Sequence, residues 1–166
     1  YTYTTSGNYD ITLTITNSVG CTDTHTEQII ALALPVAQIT PSAQFGCDPF
    51  DVVFTNSSTN QGNGVDISTA TFNWTFANNT TQTTTDINET TSYTFTGLGS
   101  FPTSLQVIDN FGCVSPVTTI QSTITKPTAN FTVDQVVCNN ETFVANNTSS
   151  NHVSSEWYID EASTST

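Results

Sequence analysis

Residues 93–113 read YTFTGLGSFPTSLQVIDNFGC, and residues 1–21 read YTYTTSGNYDITLTITNSVGC. A shift of 92 (93 − 1) lays one on the other without a gap. Tyr93 falls on Tyr1, Phe95 on Tyr3, Gly99 on Gly7 and Phe101 on Tyr9. Leu105 falls on Leu13, Val107 on Ile15, Gly112 on Gly20 and Cys113 on Cys21. Aromatic replaces aromatic and aliphatic replaces aliphatic, so many independent positions agree on one internal repeat. Within each copy apolar residues alternate with Thr, Ser and Asn, the pattern of strands with one face buried and one wet.

A second register joins the middle of the chain to its end. Pro35-Val36-Ala37 matches Pro127-Thr128-Ala129, Asn56-Ser57-Ser58 matches Asn147-Thr148-Ser149, and Cys47 matches Cys138. Trp74 matches Trp157 at a shift of only 83, against 91 for the cysteines, so the central copy carries eight extra residues. The Gly- and Asn-rich stretch at 58–69, STNQGNGVDIST, is the expected site of that excursion. Three units are expected: the rear half of one at 1–34, a complete one at 35–126, and the front half of a third at 127–166. On this reading the sequence is a window on a longer repetitive chain.

The central unit alternates throughout: Phe50, Val52 and Phe54; Phe72, Trp74 and Phe76; Tyr93 and Phe95; Leu105 and Val107. Turn residues bracket each run, and no stretch has a useful helical period. The expected fold class is all-β, as tandem two-sheet β-sandwich domains, one complete and two partial. Trp74 is the expected core anchor, with Phe54, Phe76, Tyr93, Leu105 and Val107 around it.

Composition narrows the function. One Lys (Lys126), no Arg and 14 acidic residues give a formal charge of −13. Such a chain cannot neutralise phosphates, so nucleic-acid partners are not expected. The same field opposes anionic membrane surfaces, and no apolar run is long enough for direct membrane insertion. The four cysteines, Cys21, Cys47, Cys113 and Cys138, form no CxxC pair and lie far from both histidines in sequence. Disulfides in an oxidising compartment suit them better than zinc. Cys47 and Cys113 share the complete unit and are the expected pair. Closing their separation of 66 residues (113 − 47) would restrict the unfolded chain by about 4 kcal/mol. Cys21 and Cys138 then pair with residues outside the sequence.

No catalytic residues emerge. His25 and His152 sit in polar segments with no motif partner, and Ser and Thr are too abundant to single one out as a nucleophile. No cofactor is expected. Calcium is possible, because Asp48, Asp51, Asp66, Asp86 and Asp109 supply hard oxygen ligands. The simpler role for those carboxylates is to keep a solvated surface soluble.

The run from Tyr1 to Asn17 resembles the second half of a PKD (polycystic kidney disease) domain, where Y-x-Y-x-x-x-G-x-Y-x-V-x-L-x-V-x-N closes an Ig-like sandwich. Val52 to Ser58 approximates the V-x-F-x-N-x-S element of that family. Trp74-Thr75-Phe76-Ala77-Asn78-Asn79 resembles its W-x-F-G-D-G signature, with Gly-Asp-Gly replaced by Ala-Asn-Asn. In the third copy Trp157-Tyr158-Ile159-Asp160 keeps the Trp and an acidic residue. The Gly-Cys ending is similar to that of PKD repeats in large secreted surface adhesins of Bacteroidota, of the gliding-motility type exported by type IX secretion.

That resemblance implies an extracellular, cell-surface location and a non-catalytic stalk or repeat array of a large adhesin or filament. Neighbouring repeats of the same chain would be its first partners, with a distal surface or polysaccharide ligand possible. One alternative is a carbohydrate- or matrix-binding module beside a secreted enzyme, which requires an exposed aromatic patch such as Tyr1, Tyr3 and Tyr9 or Phe45 and Phe50. Another is a fibre subunit joined by half-domain complementation, with Cys138 bonded to Cys21 across the junction. Short linkers at 31–37 and 124–129, each with a proline, limit hinge motion between units.

Overall fold

The computed structural model describes residues 1–60, 62 and 66–159. Residues 61 and 63–65 of the expected excursion, and 160–166 of the third unit, lie outside the described residues. The described chain is all-β: twelve strands and two short 3-10 turns, Ile67–Thr69 and Ala77–Asn79.

Strands β1 (Gly7–Thr16) and β2 (Thr22–Ala31) form an antiparallel hairpin. A sandwich follows. One of its sheets holds β3 (Ile39–Pro41), β5 (Phe50–Asn56) and β8 (Thr91–Phe95), in that order. The other holds β4 (Phe45–Gly46), β10 (Thr118–Ile124), β9 (Gly99–Ile108), β6 (Thr71–Thr75) and β7 (Thr81–Thr84), in the order β4-β10-β9-β6-β7. All neighbours are antiparallel except β4 and β10, which run parallel. A final pair, β11 (Phe131–Val133) and β12 (Ala145–Asn147), is antiparallel.

The alternation of the sequence becomes the two sides of each sheet. Phe50, Val52, Phe54 and Asn56 of β5 are buried, and the residues between them are exposed. Phe72 and Trp74 face them from β6, Leu105 and Val107 from β9, and Phe95 joins from β8. Val52, Phe54, Phe72, Trp74, Leu105 and Val107 are all at 0% exposure. Phe76 is buried, and Tyr93, half-buried, stacks on it with ring centroids 4.8 Å apart. The indole N–H of Trp74 donates to Thr84 Oγ1 at 3.3 Å, so the largest core side chain leaves no orphan donor.

The turn after Trp74 explains how the chain departs from Gly-Asp-Gly. Asn78 and Asn79 adopt φ of 59° and 58°. That left-handed region costs most side chains about 1–2 kcal/mol, and Asn tolerates it better than other non-glycine residues.

The sequence repeat is also a structural one. In the central unit Asp109 Oδ1 accepts the N–H groups of Phe111 and Cys113, and Asp109 N–H donates to the Cys113 carbonyl. In the hairpin Asn17 Oδ1 accepts from Val19 and Cys21, and Asn17 N–H donates to the Cys21 carbonyl. Gly20 and Gly112 each supply the positive φ that closes the turn, 88° and 83°. The front halves agree equally well. Ile39 pairs with Asn56 as Phe131 does with Asn147, and Asn56 Oδ1 accepts from Ser58 N–H as Asn147 Oδ1 does from Ser149 N–H.

One difference is local. Between the pairs Leu105↔Thr118 and Ile108↔Val114, β9 advances three residues and the returning arm four. The extra residue is a bulge at Ser115-Pro116, where proline has no N–H to give the ladder. The hairpin, without that proline, runs unbroken from Gly7↔Ala31 to Thr16↔Thr22.

Candidate functional site

The expected Cys47–Cys113 bond is not formed, and all four cysteines are free thiols. The ladder shows why. Cys47 follows β4, whose Gly46 pairs with Ile124 of β10, and Ile124 pairs with Gly99 at the start of β9. Cys113 sits in the turn beyond Ile108, at the other end of that ten-residue strand. Nine steps of a strand are about 30 Å, whereas a disulfide needs Cα atoms within about 7 Å. The same geometry, carried over by the repeat, opposes a Cys138–Cys21 bond inside one completed unit, since those residues would also occupy opposite poles. Separation along the chain does not report on this distance, because a sandwich has two ends.

Each thiol therefore lies near an end of its unit. Cys47 lines a cleft with Asp48, Leu98, Thr125, Lys126 and Pro127, where the chain leaves for the third unit. Cys113 is half-buried beside Asp109, and burial first, then the Asp109 carboxylate, push its thiol pKa up. It is held as a protonated, weakly nucleophilic group.

The carboxylates named for calcium are dispersed, Asp66, Asp86 and Asp109 engaged in local turns, Asp48 and Asp51 with partners distant in sequence. Asp48 accepts from Gly97 N–H, Asp51 from the Thr94 hydroxyl, and Asp86 from Asn88 N–H. Asp66 caps the first 3-10 turn. The Ser68 hydroxyl and then the Ser68 N–H, both donating to Asp66, hold its carboxyl below the usual range. Asp109 lies at the pole opposite Asp48, closing the Gly-Cys turn. Among the described residues no group of three or more His, Cys, Asp or Glu converges as a metal site. The histidines are likewise separate: His25 pairs with Glu27 two residues on, both well exposed, and His152 meets the Asn147 side-chain amide at 3.4 Å. An exposed pair of that kind contributes little.

What the structure does bring together is apolar surface at the two end units. On the hairpin Ile11, Leu13 and Ile15 are 52, 64 and 59% exposed. On the third unit Trp157 packs edge-on against Phe131 at 5.3 Å between centroids yet remains 46% exposed. Around them opens a cleft of about 450 Å³, lined also by Ala129, Asn130, Asn147, His152 and Tyr158. Alternation in the sequence marked such positions as inward-facing, while among the described residues they stay exposed.

Of the aromatic patches considered, Phe45 is exposed and Phe50 is core. Tyr1, Tyr3 and Tyr9 form a continuous ring cluster, Tyr1 edge-on to Tyr3 with centroids 5.0 Å apart and Tyr3 tilted against Tyr9 at 4.3 Å. It is the counterpart of Tyr93, Phe95 and Phe101 in the complete unit, at 4.9 and 5.4 Å, where Phe95 is buried.

The class these features define is an all-β chain with a central β-sandwich, a two-stranded hairpin before it and a short strand pair after it. No family model matches the chain, and no curated protein matches it in sequence.

Proposed function

We propose that this chain is a non-catalytic structural segment of an extracellular rod, built of PKD-like units, that extends a distal binding region from a cell surface. The observation that carries this reading is the path of the chain. It enters the complete unit at Val36, bridged to Thr59, at the pole that also holds Cys113, and leaves after Ile124 beside Cys47 at the other. Units joined in that way propagate end to end. The charge of −13 opposes lateral clumping of such rods.

Small-angle scattering of the chain at low concentration tests the reading. A compact 166-residue domain has a radius of gyration of about 15 Å. An elongated particle with a clearly larger radius is expected, and a value near the compact one would sink the proposal.

A second reading, a carbohydrate-binding module, draws on the open cleft with Trp157, Tyr158 and Asn130. Quenching of tryptophan fluorescence by oligosaccharides, lost in Trp157→Ala, would favour it over the rod.

A further inference from the structure

The outer face of the five-stranded sheet carries no charge. Side chains alternate along each of its strands, and the register carries a side from one strand to the next. Leu105, Trp74 and Ile124 point into the core, so Ser104, Thr75 and Thr123 beside them point out. One rung of that face reads Thr119, Ser104, Thr75 and Thr81, and the next reads Gln106, Asn73 and Thr83. No residue of β4, β10, β9, β6 or β7 is Asp, Glu, Lys or His, in a chain with 14 acidic residues. All five strands lie between residues 45 and 124, well inside the sequence.

At one corner the face gains an aromatic ring. Phe45 pairs with Thr123, which pairs with Ser100, and the next residue, Gly46, points at the core ring of Phe50. Phe45 therefore projects outward, and it is 71% exposed. Gln121 and Pro102 form the rung between this corner and Thr119–Ser104. Neighbours hold several of these side chains in place. The Ser100 hydroxyl donates to Gln121 Oε1 at 3.2 Å, the Ser104 and Thr119 hydroxyls meet at 2.8 Å, and the Thr83 hydroxyl donates to Asn73 Oδ1 at 3.0 Å. Four rungs, each two residues from the next, make a strip about 20 Å long.

We propose that this face binds a neutral glycan chain, one without uronate or sulfate groups. Hydroxyls and carboxamides both donate and accept, as sugar hydroxyls do, and the Phe45 ring offers an apolar surface for the C–H face of a sugar. Side chains already fixed by their neighbours lose little freedom on binding. The charge of −13 repels an anionic polymer, and the face itself supplies no cation to hold one. A protein partner is the poorer fit, because the core of a protein interface is apolar and aromatic, and here one Phe stands among hydroxyls and amides. The face shares no residue with the cleft around Trp157. This goes beyond the rod reading and does not rest on it, because the face is the same whether or not the chain is elongated.

Affinity electrophoresis of the 166-residue chain in native gels tests the proposal. The gels contain laminarin, galactomannan, arabinoxylan or dextran as neutral probes, and alginate or polygalacturonate as anionic ones. Retardation by at least one neutral polysaccharide, and by neither anionic one, is expected. Phe45→Ala and Gln121→Ala should each lose it with thermal melting unchanged, since both side chains stand exposed outside the core. Trp157→Ala should keep it. Migration that no neutral probe slows overturns the proposal. So does retardation that survives Phe45→Ala, that Trp157→Ala removes, or that alginate matches. A dimer in sedimentation velocity that Phe45→Ala disperses would give the face to a second copy and overturn it as well.

Discussion

Gly46 shows how one position constrains the sandwich. A Cβ built there would lie 2.1 Å from Cδ2 of Phe50 and 2.5 Å from its Cγ, so the whole ring, not its tip, stands in the way. Phe50 is core and cannot swing clear without opening a gap. Gly46→Ala should lower stability by about 1–3 kcal/mol, the usual cost of overpacking, read as a shift in urea midpoint without a change in m-value. Thr103 offers the opposite case. Its hydroxyl is fully buried without a partner, on the face that meets the other sheet, and the hairpin has Ile11 at that place. Thr103→Val removes the orphan group at nearly constant shape and should stabilise by about 1 kcal/mol, seen as a higher urea midpoint. Cys113 adds a chemical test. Its pKa is raised, so less thiolate exists at any pH near 8, and it is less exposed than the other three cysteines. Iodoacetamide should modify Cys113 last, as peptide mapping of a time course would show.

Strands β6 and β9 and the segment around Trp157 separate what an element's sequence says from what its surroundings decide. Trp74 and Trp157 occupy matching places in the repeat, yet one is fully buried and the other half exposed. Trp74→Ala should cost about 3–5 kcal/mol, a large part of the stability of an ordinary domain. Trp157→Ala, measured at low concentration, should leave the main transition within about 0.5 kcal/mol. Circular dichroism melts of the two variants side by side would show the difference. Strand identity and inward faces were legible because period-two alternation depends only on neighbours along the chain. Hairpin register was less so: the two copies align without a gap, but Pro116 forces a bulge that offsets β10 by one residue. Proline announces the missing donor, while the place where the ladder absorbs it depends on Ser115, whose side-chain oxygen takes the Val107 N–H.

For the molecule as a whole, the separation of Cys47 from Cys113 bears on stability. A staple within the unit would have made the melting of the complete sandwich sensitive to reductant by several kcal/mol. With the thiols at opposite poles, reducing agent should leave the thermal midpoint of the complete unit unchanged, and Cys47→Ser should behave as wild type in the same assay. A large drop with reductant would contradict the placement of β4 against the end of β10. Charge acts at this scale too. Fourteen acidic residues against one lysine keep separate molecules apart at low salt, while Asp66, Asp86 and Asp109 also serve as local turn acceptors.

The sequence by itself determined the all-β class, the repeat, the inward faces and the core around Trp74, because alternation and turn chemistry are local and recur at fixed shifts. It also determined the acidic, cation-poor surface. Only the tertiary structure decided which cysteines stand at which pole, because distance across a sandwich depends on strand order and parallel or antiparallel sense, not on separation along the chain. It alone decided, too, which of the equivalent apolar faces is a core and which is an open surface, because burial is a property of what lies opposite.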